Sequence, residues 1–433
     1  MRIHRTDASF SSGFAERFPY HLTMMYTLSM ARPKREKRSK LARVEKVRLY
    51  PTPSQISVLT DILSVCCDLY NAGLAERRGA YELWKRTKPE GFEWPTLGTQ
   101  LKQLTEVRSK HDWVAEIYQE TAAFSLKSLD NAFSAFLSRH AKGEKPGYPR
   151  FRAKRRFDTF TYPHGNRCIQ VSDKTIKLPS IGQIKYRKSG RDLPKEFGVV
   201  KISRQGDKWY ACFEHVIEAK AFVPTGKETG VDVGIANFAA TCDGTLIPNP
   251  KFAAKAKKKV DKLYQAVARC KKRSKRRKQV VARLAKAKQR EVRQRVDHAH
   301  KLSRMLVNSY DLIAFEDLRV LNMVRSAKGT VEKPGKNVAQ KSGLNRSILD
   351  AAWRRMMNFT VYKAEEAGKL VVFVNPRNTS RTCQNLKCRY VSSENRATQA
   401  EFLCVKCGYA DHADTNASKE IYSRARLGLA AAA

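Results

Sequence analysis

Two cysteine pairs near the C-terminus, Cys383/Cys388 and Cys404/Cys407, restrict the fold of this chain more than any other feature of its sequence. Their spacings are C-x4-C and C-x2-C, with fifteen residues between the pairs. A tetrahedral structural zinc site needs two such knuckles, each offering two thiolates, and a loop that closes one half onto the other. The alternative is four unrelated reduced cysteines. Asp414 follows seven residues after Cys407, so a small metal-closed module would stand immediately before a carboxylate. The other six cysteines, Cys66, Cys67, Cys168, Cys212, Cys242 and Cys270, have no pairing pattern. They read as small buried hydrophobes in a reducing compartment.

Charge sets the second constraint. The chain has 433 residues, enough for two to four domains. Its 84 Lys and Arg against 41 Asp and Glu give a net charge of +43. Self-repulsion on that scale opposes compaction unless a polyanion screens it, so a nucleic-acid partner is expected. No basic amphipathic helix with a lipid-ready face stands out, and no window approaches eighteen uninterrupted apolar residues. No membrane partner is therefore expected.

Taken in order, residues 1–43 are mixed and then basic, and they are expected to be disordered. If translation starts at Met30, residues 1–29 are an upstream extension. A strand is predicted over Val44–Tyr50, ended by Pro51 and Pro53, with Ser54 as the N-cap of a helix. Helical patterns then fill about ninety residues, to 141. The segment 142–163 interleaves Arg150, Arg152, Lys154, Arg155 and Arg156 with Tyr148, Phe151, Phe157 and Phe160. That mixture suits phosphate contact with base stacking, or else a basic strand edge whose aromatics pack inward. Short alternating segments up to 218 predict a small β-barrel or curled sheet. Residues 251–304 hold 22 Lys/Arg and three Asp/Glu. They predict a helical pair whose Lys271, Lys272, Arg273, Lys275, Arg276, Arg277 and Lys278 form a phosphate-tracking surface. Beyond it come a buried strand 310–318, a loop 320–343, a helix with Ile348, Leu349, Ala352, Trp353 and Met356 inward, and an apolar strand before the cysteines. Strands alternating with helices predict an α/β layer.

Three carboxylates fall at the ends or interiors of these core elements: Asp232, Glu316 and Asp414, with Asp317 and Asp411 beside the last two. They are either separate salt-bridged residues or a converging set. A converging set would repel itself unless cations neutralise it. All-oxygen donors favour Mg²⁺ or Mn²⁺, and two such ions about 4 Å apart catalyse phosphodiester cleavage. A basic protein with such a cage is most simply a nuclease.

The successive motifs GVDVGIANF, IAFEDL, SGLNRSILDAAW with VYKAEEAG, PRNTSRTC, ENRATQAEFLCVKCGY and HADTNAS resemble the TnpB family of small insertion sequences, relatives of miniature type V CRISPR effectors. Upstream, RLYPTPSQ, LYNAGLAERRGAY, PGYPRFRAK and LPSIGQIKYR match as well, so the resemblance covers about 44–424. It implies a multidomain α/β protein. A RuvC (RNase H-like) nuclease domain over 227–379 and 408–424 would carry an inserted zinc module at 380–407. An oligonucleotide-binding wedge barrel over 44–52 and 142–226 would carry a helical recognition domain at 53–141, and 425–433 would be a tail. The family's three RuvC acids fall on Asp232, Glu316 and Asp414, holding two Mg²⁺ or Mn²⁺ ions. That complete set argues against the nuclease-dead repressor branch. One structural Zn²⁺ would sit on Cys383, Cys388, Cys404 and Cys407. The first pair departs from the family's usual C-x2-C.

Members of the family bind a guide RNA from the element's own end, recognise a short target-adjacent motif and cleave the double-stranded DNA that pairs with the guide. One protein per guide RNA is expected, in a prokaryotic, nucleoid-associated, cytoplasmic setting. Tyr70, Asn71, Arg77 and Ser125 are candidate readers of the target-adjacent motif. A non-cleaving RNA-guided regulator is the alternative function. A transposase performing strand transfer itself lacks a Tyr or Ser nucleophile motif here.

Overall fold

The computed structural model describes residues 41–144, 146–187, 192–330, 332–396 and 398–431. Residues 1–40 of the expected N-terminal extension lie outside that set, whereas 41–43 already belong to a strand. The chain divides into two compact units at Ile217/Glu218.

In the first unit, strand β1 (Leu41–Tyr50) leads into helix α1 (Pro53–Thr87). The cap is Thr52 rather than Ser54: its hydroxyl accepts from the Gln55 N–H while the Gln55 side chain accepts from the Thr52 N–H, a capping box. Helices α2 (Leu97–Lys110) and α3 (Gln119–Ala141) complete the helical block. The remaining strands are β2 (Thr159–Tyr162), β3 (Gln170–Val171), β4 (Thr175–Leu178), β5 (Gly182–Arg187), β6 (Val200–Gln205) and β7 (Lys208–Ile217). Together with β1 they form one antiparallel sheet in the order β2-β6-β7-β1-β5-β4-β3. This sheet and the helical block share a single core. Val47, Ile184, Ile202, Trp209 and Phe213 from the sheet pack with Leu59, Ile62 and Cys66 of α1. Among the described residues α1 alone is long and apolar enough to cross a bilayer, and its apolar stripe is spent on that core.

The second unit is an α/β layer. Strands β8 (Glu228–Asp232), β9 (Asn237–Thr241) and β10 (Leu246–Pro248) are antiparallel, while β11 (Leu312–Glu316) and β12 (Leu370–Val374) run parallel to β8, in the order β10-β9-β8-β11-β12. The basic segment forms a helical pair, α4 (Phe252–Arg269) and α5 (Lys275–Ser309). The expected single helix after the loop is broken in two, α6 (Val338–Ala351) and α7 (Trp353–Glu366). The break is Ala352, which takes the left-handed conformation (φ 54°) and turns Leu349 outward to 56% exposure. Helices α5, α6 and α7 cover the face carrying Val231, Ile313 and Phe315. The last helix, α8 (Ala413–Ala430), covers the other, against Leu312 and Ala314.

Alternation along β8 and β11 therefore puts Gly230, Asp232 and Glu316 on the α8 side. Gly230 permits the close approach of that helix: a Cβ there would lie 2.1 Å from the Ser418 carbonyl oxygen and 2.6 Å from the Tyr422 nitrogen. Between β12 and α8 the cysteine module closes with the hairpin β13 (Glu401–Leu403) and β14 (Ala410–His412). The module thus runs to His412, past the expected limit of 407. Replacing Gly230 with Ala should push α8 off β8 and cost about 1–3 kcal/mol or more. That corresponds to a melting temperature lower by roughly 2–4 °C per kcal/mol. An unchanged melting temperature would refute the close approach.

Candidate active site and metal centre

The parallel register sets Phe315 beside Val231, so Glu316 and Asp232 end adjacent strands at their carboxyl edge, where α/β sheets commonly bind ligands. Asp414 reaches the same place from the first turn of α8. There the helix N-terminus favours an anion, and the His412 imidazole accepts the Asp414 N–H at 3.2 Å. The three carboxylates line one cavity of about 280 Å³ together with Gly234, Thr379, Ser380, Arg396 and Gln399. Asp317 and Asp411 are turned elsewhere. Asp317 is largely exposed and 3.6 Å from Arg354, and Asp411 is paired with Lys419 at 2.8 Å.

Each acid meets a different environment. The Thr379 hydroxyl, itself buried, donates to Glu316. The Asn237 amide donates to Asp414 Oδ2 at 3.0 Å, and Arg396 reaches Oδ1 at 3.3 Å while also donating to the Gln399 carbonyl at 2.8 Å. Asp232 has no side-chain hydrogen-bond donor among the described contacts. Burial, then the Glu316 and Asp414 carboxylates, push it up to about 8, against the pull of Arg396 and the Val233 backbone. Burial also raises Glu316, opposed by the Thr379 hydroxyl and by Arg424. The cavity lining sets three carboxylates against one guanidinium, Arg396, and so leaves excess negative charge there, which a divalent cation would neutralise. The donor set, all oxygen, fits Mg²⁺ or Mn²⁺. Thr379, Asn237 and Arg396 were not singled out from the sequence. Only their place inside matched motifs could have drawn attention to them.

The four cysteine sulfurs lie within 4.8 Å of one another, with Cys383–Cys407 at 3.6 Å and Cys388–Cys404 at 3.7 Å. A tetrahedron with Zn–S bonds of about 2.3 Å has edges of about 3.8 Å, so the set fits zinc. The longer first knuckle closes because Cys388 N–H returns to the Asn385 carbonyl and Cys383 N–H to Tyr390. Burial raises the Cys404 thiol, but the N–H groups of Cys407 and Lys406 bring it down to about 7, nearer the thiolate a metal needs.

This module is tied to α8 at several points. Ala413 packs against Cys383, Phe402 and Cys404, and its N–H donates to the Ala400 carbonyl. The Asn416 amide donates to the Thr382 carbonyl at 3.0 Å. Glu420, buried, receives Gln384, Arg389 and Arg424.

The expected nucleic-acid contacts divide. All of 271–278 forms the turn between α4 and α5 and the first turn of α5. None of Lys271, Lys272, Arg273, Lys275, Arg276, Arg277 and Lys278 makes an ion pair with a described residue. Arg150, Arg155 and Arg156 are likewise exposed and unpaired, whereas Arg152 lies over the Tyr70 ring at 4.0 Å and Lys154 bonds Asp68. The four candidate motif readers require correction. Tyr70, Arg77 and Ser125 are buried, and Arg77 is held by Gln100 and Asp130 at 3.1 Å each. The helical period puts Tyr70, Leu74, Arg77 and Tyr81 on the inward stripe of α1. Asn71 uses both side-chain atoms on the backbone of Arg152.

Comparison with known proteins gives a consistent picture. Residues 210–327 match the family OrfB_IS605, described as "Probable transposase"; residues 353–421 match the Cas12f1-like TNB domain; and residues 42–86 match a helix-turn-helix domain of OrfB_IS605. Here 42–86 is a strand and one continuous helix. The chain is 31% identical over 386 residues to "Putative RNA-guided DNA endonuclease InsQ" of Escherichia coli K12, covering 89% of this chain and 92% of that one. A Streptomyces pristinaespiralis protein with the same description apart from the name InsQ is 25% identical over 406 residues, covering 90% of each chain. Among solved structures, a chain of the Cas12f1–sgRNA–target DNA complex superposes with a TM-score of 0.52 at 13% identity, covering 88% of this chain and 99% of that one.

The raised Asp232 carboxyl makes the metal-free protein lose stability as pH rises from its ordinary value of 3.8 towards about 8. Asp232→Asn removes that loss. Its melting temperature without divalent metal should exceed that of the natural protein at pH 8 by at least about 2–4 °C. The gap should narrow towards pH 5 and on adding Mg²⁺. Equal melting temperatures at both pH values would contradict the crowding of the three carboxylates.

Proposed function

The chain belongs to the TnpB (OrfB_IS605) family, and on that footing we propose that it is the RNA-guided DNA endonuclease of a transposable element, acting at the nucleoid of a prokaryotic cytoplasm. The observation that carries the reading is the convergence of Asp232, Glu316 and Asp414 in one cavity beside Arg396. In this reading the five-stranded unit is a RuvC nuclease domain, and the antiparallel sheet of the first unit is the wedge. The three acids hold two Mg²⁺ or Mn²⁺ ions. Bound there, such ions lower the pKa of water to make the nucleophile and stabilise the leaving oxygen of a phosphodiester.

The chain's own groups do the rest. Thr379 fixes the Glu316 carboxylate and Asn237 fixes that of Asp414. Arg396 donates to Asp414 at 3.3 Å, so its guanidinium stands beside the acids where it would pair with an anionic phosphate. The zinc module is structural: through Ala413, Asn416 and Glu420 it sets where α8 begins, and so where Asp414 points.

The cationic turn at 271–278 places Lys275, Arg276, Arg277 and Lys278 on the first turn of α5, the end of a helix where cations are disfavoured. A polyanion relieves that cost, which suits a backbone contact with guide RNA or target DNA. Base pairing with the guide supplies the target sequence, and the protein reads a short adjacent motif.

In guided cleavage of double-stranded DNA in Mg²⁺, Asp414→Ala should lower the rate at least about a hundredfold while changing target affinity little. A variant that cuts normally would remove Asp414 from the site. A natural protein that binds its target but never nicks it would instead be a non-cleaving regulator.

A further inference from the structure

Of the four aromatics interleaved with arginines in 148–160, three are spent inside the first unit. Tyr148 meets Phe133 and Phe136 edge-on at 5.5 Å, and Phe157 and Phe160 are buried. Phe151 is the exception. It is 51% exposed and stacks on no described ring. An exposed phenylalanine is by itself unremarkable on a protein surface. What distinguishes Phe151 is how firmly the residues that follow it are fixed.

On one side, the Asn71 side chain grips the backbone of Arg152 at both ends, accepting its N–H and donating to its carbonyl, each at 2.8 Å. The Cys67 thiol donates to the same carbonyl at 3.2 Å. The Arg152 guanidinium lies over Tyr70 at 4.0 Å and within 5.6 Å of Phe157. Two residues on, Lys154 is paired with Asp68, and a short 3-10 turn over Lys154–Arg156 follows. The strip is thus pinned to α1 at Arg152 and Lys154, and the ring between those anchors and Arg150 is presented to solvent. Arg150, Arg155 and Arg156, on the same strip, are exposed and without an ion pair to any described residue.

A half-exposed ring next to a pinned backbone, on a strip with unpaired arginines, has the chemistry of a base-stacking platform. The ring takes the face of a nucleobase and the arginines take the neighbouring phosphates, while pre-ordering spares part of the entropy loss on binding. We propose that Phe151 stacks on an unpaired nucleotide of the guide RNA, with Arg150, Arg155 and Arg156 on its backbone. This rests on the RNA-guided reading above. RNA is favoured over DNA because folded RNA keeps loops and bulges permanently unpaired, open to an aromatic side chain. Duplex DNA offers an unpaired base only after it has been opened.

The test uses the full chain with the RNA that co-purifies with it, ultraviolet crosslinking, and mass spectrometry of the crosslinked peptides. A ribonucleotide adduct on Phe151 is the expected result, before and after a DNA target is added. Phe151→Ala should weaken retention of that RNA by roughly 5–150-fold, the equivalent of about 1–3 kcal/mol for one stacked base. Phe151→Trp should preserve retention, and both variants should melt like the natural protein because the ring is outside the core. A deoxyribonucleotide adduct, adducts elsewhere but none on Phe151, or unchanged retention by Phe151→Ala would each overturn the proposal. Guided cleavage with any of those outcomes would leave the endonuclease reading standing while removing this one.

Discussion

Three carboxylates drawn into one cavity impose the constraint from which the second unit is built. Each loses water on entering it, and each repels the other two, so the arrangement is unfavourable for the chain alone. The structure supplies partial compensation: the Arg396 guanidinium, the amide of Asn237, the hydroxyl of Thr379 and the N-terminal turn of α8. Asp232 has none of these side-chain donors, and burial with the neighbouring acids pushes its carboxyl up to about 8. A site that stays electrostatically unfinished in the protein alone is one prepared for cations.

Holding the acids there takes two independent devices. The parallel pair β8 and β11 aligns Asp232 with Glu316 through backbone register, which needs no particular side chain. Asp414 arrives from a helix that is distant in sequence, and its placement needs more. Gly230 lets α8 lie directly on β8, and the cysteine module fixes the start of the same helix through Ala413, Asn416 and Glu420. A zinc ion on those four cysteines would be structural, and the module would act on the carboxylate site through geometry. It decides where a carboxylate begins, and Arg396 and Thr379, both on the connection that carries the module, follow from the same placement.

The sequence made some of this legible and hid the rest for physical reasons. Cysteine spacing reports directly on a knuckle, and the C-x4-C departure closes because the backbone N–H groups of Cys388 and Cys383 return to the Asn385 and Tyr390 carbonyls. An aspartate in an apolar strand is conspicuous because burial without a partner is costly, which is why Asp232 stood out. Thr379 and Asn237 are ordinary residues until tertiary structure brings them to Glu316 and Asp414. The motif readers chosen on α1 failed for a related reason: Tyr70 and Arg77 share its buried stripe, and a buried arginine paired with Asp130 looks in sequence like any basic surface residue. Leu349 misled because a left-handed alanine at 352, which carries no glycine or proline signal, splits the expected helix and turns the face.

The central claim is that RNA directs this chain's metal-bearing carboxylates to a chosen DNA site. It is tested most directly by replacing the variable segment of the co-purified RNA and mapping the cuts in a plasmid carrying the matching sequence. The account predicts that the cut moves with the new segment, requires Mg²⁺ or Mn²⁺, and disappears in EDTA. Cuts that stay where they were, or that persist without divalent metal, would contradict it.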